Sequence, residues 1–143
     1  MKKSGILNAK LLGELAKLRH KDKLVICDAG FPIPAGANVV DVSLVAGIPD
    51  FITTLNAVLN EMIFEKYECF SNMQEKNPEY YGYLKEKLVQ QEKQEADMAQ
   101  FREDCADAKL NIRTGELKPC SNLMLVSASG TEAAVRKFDV TAS

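Results

Sequence analysis

The chain carries a single imidazole, at His20, and imidazole is the side chain that titrates near neutral pH without help. His20 is therefore the first candidate for moving a proton. Further on, Asp28 closes a short apolar run, Leu24-Val25-Ile26-Cys27, and the small-residue turn Ala29-Gly30 follows it. A carboxylate at the carboxyl end of a buried strand stands where open α/β sheets collect their ligands. Asn122 stands just ahead of a second apolar run, Leu123 to Val126. Its amide offers both donors and acceptors, which is what recognition of a sugar hydroxyl uses. Each residue also has a plainer reading. A His past a helix end can simply complement the dipole, and Asp-Ala-Gly and a pre-strand Asn can be turn residues only. Cys120 could be a nucleophile only with a basic partner, and the one His would have to serve every role. A buried inert thiol suits cysteine's habits better. Arg113-Thr114-Gly115-Glu116 reads as a turn with an ion pair.

The elements that must position these residues follow from pattern. Asn8 is suited to cap a helix through Leu18, with Leu11, Leu12, Leu15 and Leu18 on one stripe. Leu24 to Cys27 predicts a strand buried on both faces, as in a parallel sheet. Pro32, Pro34 and Gly36 then impose a loop. Val39 to Val45 is rich in β-branched residues and predicts another strand, stopped by Gly47 and Pro49. Asp50 can cap a helix to about Asn60 with Phe51, Leu55, Val58 and Leu59 inward. Ile63 to Phe70 is read as a strand. Pro78 opens a further helix, at the first position, where its missing N–H is harmless. Leu84 to Asp107, dense in Gln, Glu and Lys, favours helix by composition. Leu110 to Ile112 and Leu123 to Val126 predict two strands flanking the turn at Thr114-Gly115. The residues after Gly130 read as a mobile or docking tail. Helices alternating with buried strands define an α/β fold, a sheet flanked by helices, over a single domain spanning residues 1–143.

Composition bounds the function classes. The chain has 143 residues, 46% hydrophobic and 27% charged, which is enough for one self-sufficient core. A formal net charge of −2 argues against nucleic acid, because phosphate binding needs clustered Lys and Arg. The lysines near the N-terminus, from Lys2 to Lys23, alternate with apolar residues as the wet face of a helix does. No apolar run approaches the roughly 20 residues of a membrane span. Cys27, Cys69, Cys105 and Cys120 are scattered, with no C-x-x-C spacing, so no zinc or other metal site is expected. Free thiols with no export signal point to a reducing, cytoplasmic setting. No Gly-rich nucleotide loop is present.

Taken together, the motifs resemble the D-ribose pyranase family, with L-fucose mutarotases sharing the pattern more loosely. The resemblance is carried by Gly5-Ile6-Leu7-Asn8, by His20 followed by Asp22, by Leu24 through Gly30, and by Pro32-Ile33-Pro34. It continues in order through Asp41-Val42-Ser43-Leu44, Gly47-Ile48-Pro49 and Asn60-Glu61-Met62. It ends with Ile112 through Glu116, and Pro119 followed by Asn122. It covers about residues 1–126 and is densest in the first fifty.

The resemblance implies an α/β fold that assembles into ring-shaped homo-oligomers, decamers in the pyranases, with sugar pockets near subunit interfaces. It implies that His20 is the proton donor, that Asp28 binds substrate, and that Cys120-Ser121-Asn122 lies at the sugar site. It implies no cofactor. Two positions depart from the family: Cys120 stands where a Tyr is usual, and Met98 where a second His is usual. The expected activity is interconversion of ring or anomeric forms of a free monosaccharide, ribose-like or 6-deoxy, by general acid–base catalysis. A sugar-binding module with weakened catalysis and a purely structural oligomer former are the competing readings.

Overall fold

The computed structural model describes residues 1–131; the tail anticipated after Gly130 falls, but for its first residues, outside them. Six strands form one sheet in the order β2-β5-β1-β6-β3-β4. β1 (Lys23–Cys27) lies near its middle, and four of its five residues are fully or almost fully buried. It pairs in parallel with β5 (Leu110–Arg113) and antiparallel with β6 (Leu123–Ser127). The sheet is therefore mixed rather than parallel throughout. β2 (Val39–Asp41) extends β5 in parallel, β3 (Phe64–Phe70) runs antiparallel to β6, and β4 (Glu92–Ala96) runs parallel to β3.

The helices begin where capping residues stand. Asn8 Oδ1 accepts the Leu11 N–H at 3.0 Å to start α1 (Ala9–Ala16). Asp50 Oδ1 accepts the Thr53 N–H at 2.7 Å to start α2 (Phe51–Glu61). The short α3 (Met73–Lys76) leads through Asn77 into α4 (Pro78–Lys87), with Pro78 in its first turn. α5 (Met98–Asp104) is capped by Asp97, whose Oδ1 accepts from Gln100 N–H at 2.8 Å.

Two expectations need correction. The strand read from Val39 to Val45 stops at Asp41, because Asp41 Oδ1 accepts the Ser43 N–H at 2.9 Å and closes an Asx turn. The helix read from Leu84 to Asp107 is three elements: α4, the edge strand β4, and α5. Glu92-Lys93-Gln94-Glu95 are good helix formers, yet the exposed edge of β3 offers a ladder from Lys66 to Phe70 that captures them. Tertiary pairing overrides local propensity here. Charged side chains along an edge strand also discourage unwanted pairing.

β3 and α5 enclose a buried acid. Glu68 is 1% exposed and faces Asp104 at the end of α5. Burial first, then the neighbouring Asp104 carboxyl, pushes Glu68 up to about 7 from 4.5. Glu68 Oε2 and Asp104 Oδ2 are both buried with no hydrogen-bond partner among the described residues, which adds to the cost of leaving both carboxyls charged. Between pH 4.5 and 7 the folded state keeps a proton that the unfolded chain has released. The stabilisation is full below the lower value and lost as pH rises through the upper one. We expect stability to fall by roughly 2–3 kcal/mol across that window, and Glu68→Gln to flatten the slope. Urea unfolding at pH 5 and pH 8 checks this; an equal slope in both proteins contradicts it.

Candidate functional site

The topology brings several chain ends to one edge of the sheet. Asp28 follows β1, Phe70 ends β3, Met98 stands two residues beyond β4, and Asn122 immediately precedes the antiparallel β6. Because β1, β6, β3 and β4 are neighbours in the sheet, these residues converge. They line a cleft of about 280 Å³ together with Gly30, Phe31, Pro32, Arg102, Pro119 and Cys120. That volume sits just below the range of about 300–1,000 Å³ typical of drug-sized ligands, so it suits a small one. A second cleft of about 340 Å³ adjoins it, sharing Phe31, Pro32 and Arg102.

Asp28 is held on both sides. Its N–H donates to Asn122 Oδ1 at 2.9 Å, and Asn122 Nδ2 donates to Asp28 Oδ2 at 3.2 Å. The Gly30 N–H donates to Asp28 Oδ1 at 3.1 Å. Burial raises the Asp28 carboxyl above its ordinary value, against the lowering effect of these hydrogen bonds. Asn122 is 3% exposed and spends most of its amide on Asp28, so it serves first to aim that carboxylate. Arg113, expected in a simple ion-paired turn, lies 4.0 Å from Asp41 Oδ2 through Nε and donates through Nη1 to Ala29 O at 2.7 Å and Phe31 O at 3.1 Å. It fixes the loop that forms one wall.

A clamp lies behind the opposite wall. Glu116 accepts from the Tyr80 hydroxyl and from the N–H groups of Phe51, Leu117 and Lys118. Burial alone would raise this carboxyl, but the donors bring it below its ordinary value. Its backbone carbonyl accepts the Ala29 N–H at 2.9 Å. Gly115 cannot carry a side chain, since a Cβ would meet Ile48 O at 2.6 Å and Val45 O at 2.8 Å. The turn read from sequence thus ties helices α2 and α4 to the cleft.

The expected site residues are not all gathered in one chain. Asp28, Met98, Cys120 and Asn122 meet at the cleft. Ser121 is fully buried and turns away, donating to Lys118 O at 3.0 Å and accepting from Asn77 Nδ2 at 3.2 Å. His20 stands at the far end of β1, in the turn before it, with Nε2 3.2 Å from Glu65 Oε2. The five residues of β1, at about 3.3 Å each, separate it from Asp28 by roughly 16 Å. Arg102, Phe31 and Phe70 were not foreseen. Arg102 lies four residues after Met98, one turn along the same face of α5; the strand β4 just before it is what brings that face to the cleft.

Cys120 adopts the left-handed region, with φ of 59°, a conformation costing roughly 1–2 kcal/mol for a residue with a Cβ. Burial, then the nearby Asp28, raises its thiol. The other three cysteines are buried, and burial pushes each thiol to about 12.

A mixed six-stranded sheet with flanking helices thus opens a small, largely apolar cleft at the carboxyl end of β1, with Asp28 and Asn122 among its polar groups. The chain belongs to the RbsD / FucU transport protein family, whose model matches residues 1–129. It is 39% identical over 135 residues to a D-ribose pyranase of Haemophilus influenzae, covering 89% of this chain and 97% of that one. It is 41% identical over 125 residues to D-ribose pyranase 1 of Rubrobacter xylanophilus, covering 87% and 95%. The structure of Bacillus subtilis RbsD complexed with D-ribose superposes with a TM-score of 0.85 at 39% identity, covering 90% of this chain and 98% of that chain.

Proposed function

We propose that the protein is an isomerase that interconverts ring or anomeric forms of a free monosaccharide. The observation that carries this reading is the meeting of Asp28, Asn122, Met98 and Cys120 on one small cleft, in a chain so similar to D-ribose pyranases. Opening a hemiacetal requires a proton on the ring oxygen and loss of one from the anomeric hydroxyl. The open-chain carbonyl then rotates and recloses, and both transfers run in reverse. Asp28 accepts a hydrogen bond from a sugar hydroxyl and orients it, while Asn122 keeps that carboxylate in place. His20 donates the proton that the ring oxygen gains, a role typically worth 10²–10⁴-fold, and solvent water takes the one that the anomeric hydroxyl loses.

Since His20 and Asp28 lie at opposite ends of β1, His20 must reach the cleft from a second copy. We therefore propose a homo-oligomer, a decamer in keeping with the family resemblance. Leu44, Val45, Ile48 and Leu117 support it: each is more than half exposed, and three of them line a shallow apolar surface that also touches Ala29, next to Asp28. Large apolar side chains gathered at one surface mark an interaction site. No described helix is long and apolar enough to cross a membrane. The free state of all four cysteines supports a reducing, cytoplasmic setting.

Met98 and Cys120 favour a sugar with an apolar edge, such as a 6-deoxy sugar, over ribose. Where the resemblance places His and Tyr, they offer almost no hydrogen bond, and Phe31, Pro32 and Phe70 line the same cleft. A sugar hydroxyl left without a partner costs about 1–3 kcal/mol, a ten- to hundredfold loss. We expect slower exchange for ribose than for fucose, and a gain of that size for ribose in Met98→His/Cys120→Tyr. Magnetisation transfer between sugar forms by NMR tests both. Fast ribose exchange with no gain from the double change overturns the specificity. Binding of either sugar without faster exchange would instead favour a monosaccharide-binding module with weakened catalysis, the reading to which the same two substitutions point.

A further inference from the structure

Asn77 lies outside the cleft, in the joint between α3 and α4, yet its side chain reaches the loop that builds one cleft wall. It is 5% exposed and uses its whole amide. Oδ1 accepts the Tyr80 N–H at 3.2 Å and caps α4. Nδ2 donates to Pro119 O at 3.0 Å and to Ser121 Oγ at 3.2 Å. Those two acceptors flank Cys120, the residue in the left-handed region. A non-glycine residue stays in that region only when its surroundings over-determine it. Ser121 Oγ is closed off in turn by donating to Lys118 O at 3.0 Å. Among the described residues the one hydrogen bond of the Cys120 side chain is long, Sγ to Asn72 Oδ1 at 3.5 Å. The holding force on Cys120 therefore comes from its neighbours, and Asn77 is the group that touches both.

We propose that Asn77 is a positioning residue: by gripping Pro119 and Ser121 it keeps Cys120 against the cleft and sets the approach of Asn122, and hence of Asp28. The consequence for sugar turnover rests on the isomerase reading above; the consequence for the loop does not. The grip acts on the binding wall and touches no group assigned to proton transfer. Its loss should therefore raise KM and leave kcat nearly unchanged.

Two variants separate the grip from the cap. Asp and Ser both accept at a helix N-cap about as well as Asn, so Asn77→Asp and Asn77→Ser keep α4 while removing the two amide donations. Ser does so without placing a charge near Pro119 O. The first readout needs no sugar. Cys27, Cys69 and Cys105 are buried and Cys120 is half-buried, so a maleimide reports Cys120 in the folded protein. Releasing a strained left-handed residue corresponds to roughly a tenfold shift in population. We expect about tenfold faster labelling in both variants, a similar rise in KM, and a native helical circular dichroism spectrum at the assay temperature. An unchanged labelling rate in both variants overturns the proposal, and so does faster labelling with KM unmoved. If the native protein catalyses no sugar exchange, the isomerase reading fails and the labelling rate alone decides whether Asn77 holds the loop.

Discussion

Replacing His20 by Asn is expected to slow catalysed exchange of sugar forms by roughly 10²–10⁴-fold, the typical contribution of a positioned general acid, while sugar binding persists. The imidazole stands in an exposed turn, with its side chain 47% accessible, and among the described residues its one polar contact is Glu65. That turn is built without it. Arg19 N–H donates to Asp22 Oδ2 at 2.7 Å, Lys21 N–H to Ser127 O at 2.9 Å, and Lys109 Nζ lies 3.0 Å from Asp22 Oδ2. Asn retains size and a donor toward Glu65 but cannot release a proton near neutral pH. A loss in turnover would therefore report chemistry rather than folding. Undiminished exchange in this variant would remove His20 from the mechanism.

The second large effect concerns where that proton comes from. His20→Asn and Asp28→Asn chains should each be strongly impaired as pure assemblies. If each cleft joins the Asp28 of one copy to the His20 of another, random co-assembly gives about a quarter of clefts both native groups. We expect recovery of about that fraction of native exchange after the two variants are dissociated, mixed and reassembled. Recovery cannot arise if both groups act within one chain, because every chain in the mixture lacks one of them. The separation along β1 is the physical reason to expect it. Light scattering on the native protein gives the companion measurement, and a monomer at micromolar concentration would exclude the shared site.

Much of this arrangement was legible in the residues. Asn8, Asp50 and Pro78 mark the starts of their helices because capping chemistry is local. β1 and β6 are legible because each is a short unbroken apolar run that can only be buried. β4 was not, since its polar residues prefer helix and are drawn into a strand by an edge that pairs with them. Without β4 nothing places the start of α5, and so the shared face of Met98 and Arg102, at the cleft. Asp28 and Asn122 were singled out from their positions at strand ends, but the hydrogen bonds between them required the antiparallel return of β6 beside β1. The distance between His20 and Asp28 was implicit in one strand of known length. Its meaning for assembly emerged only once the cleft was located at one end of the sheet.

The most direct test of the central claim is NMR magnetisation transfer between the pyranose and open-chain or furanose signals of a free sugar, with the native protein at catalytic concentration. Ribose and fucose should be run side by side, with His20→Asn as the control. The account expects exchange cross-peaks with the native protein at mixing times where sugar alone gives none, and their loss in the variant. Exchange no faster than in buffer for both sugars would contradict it.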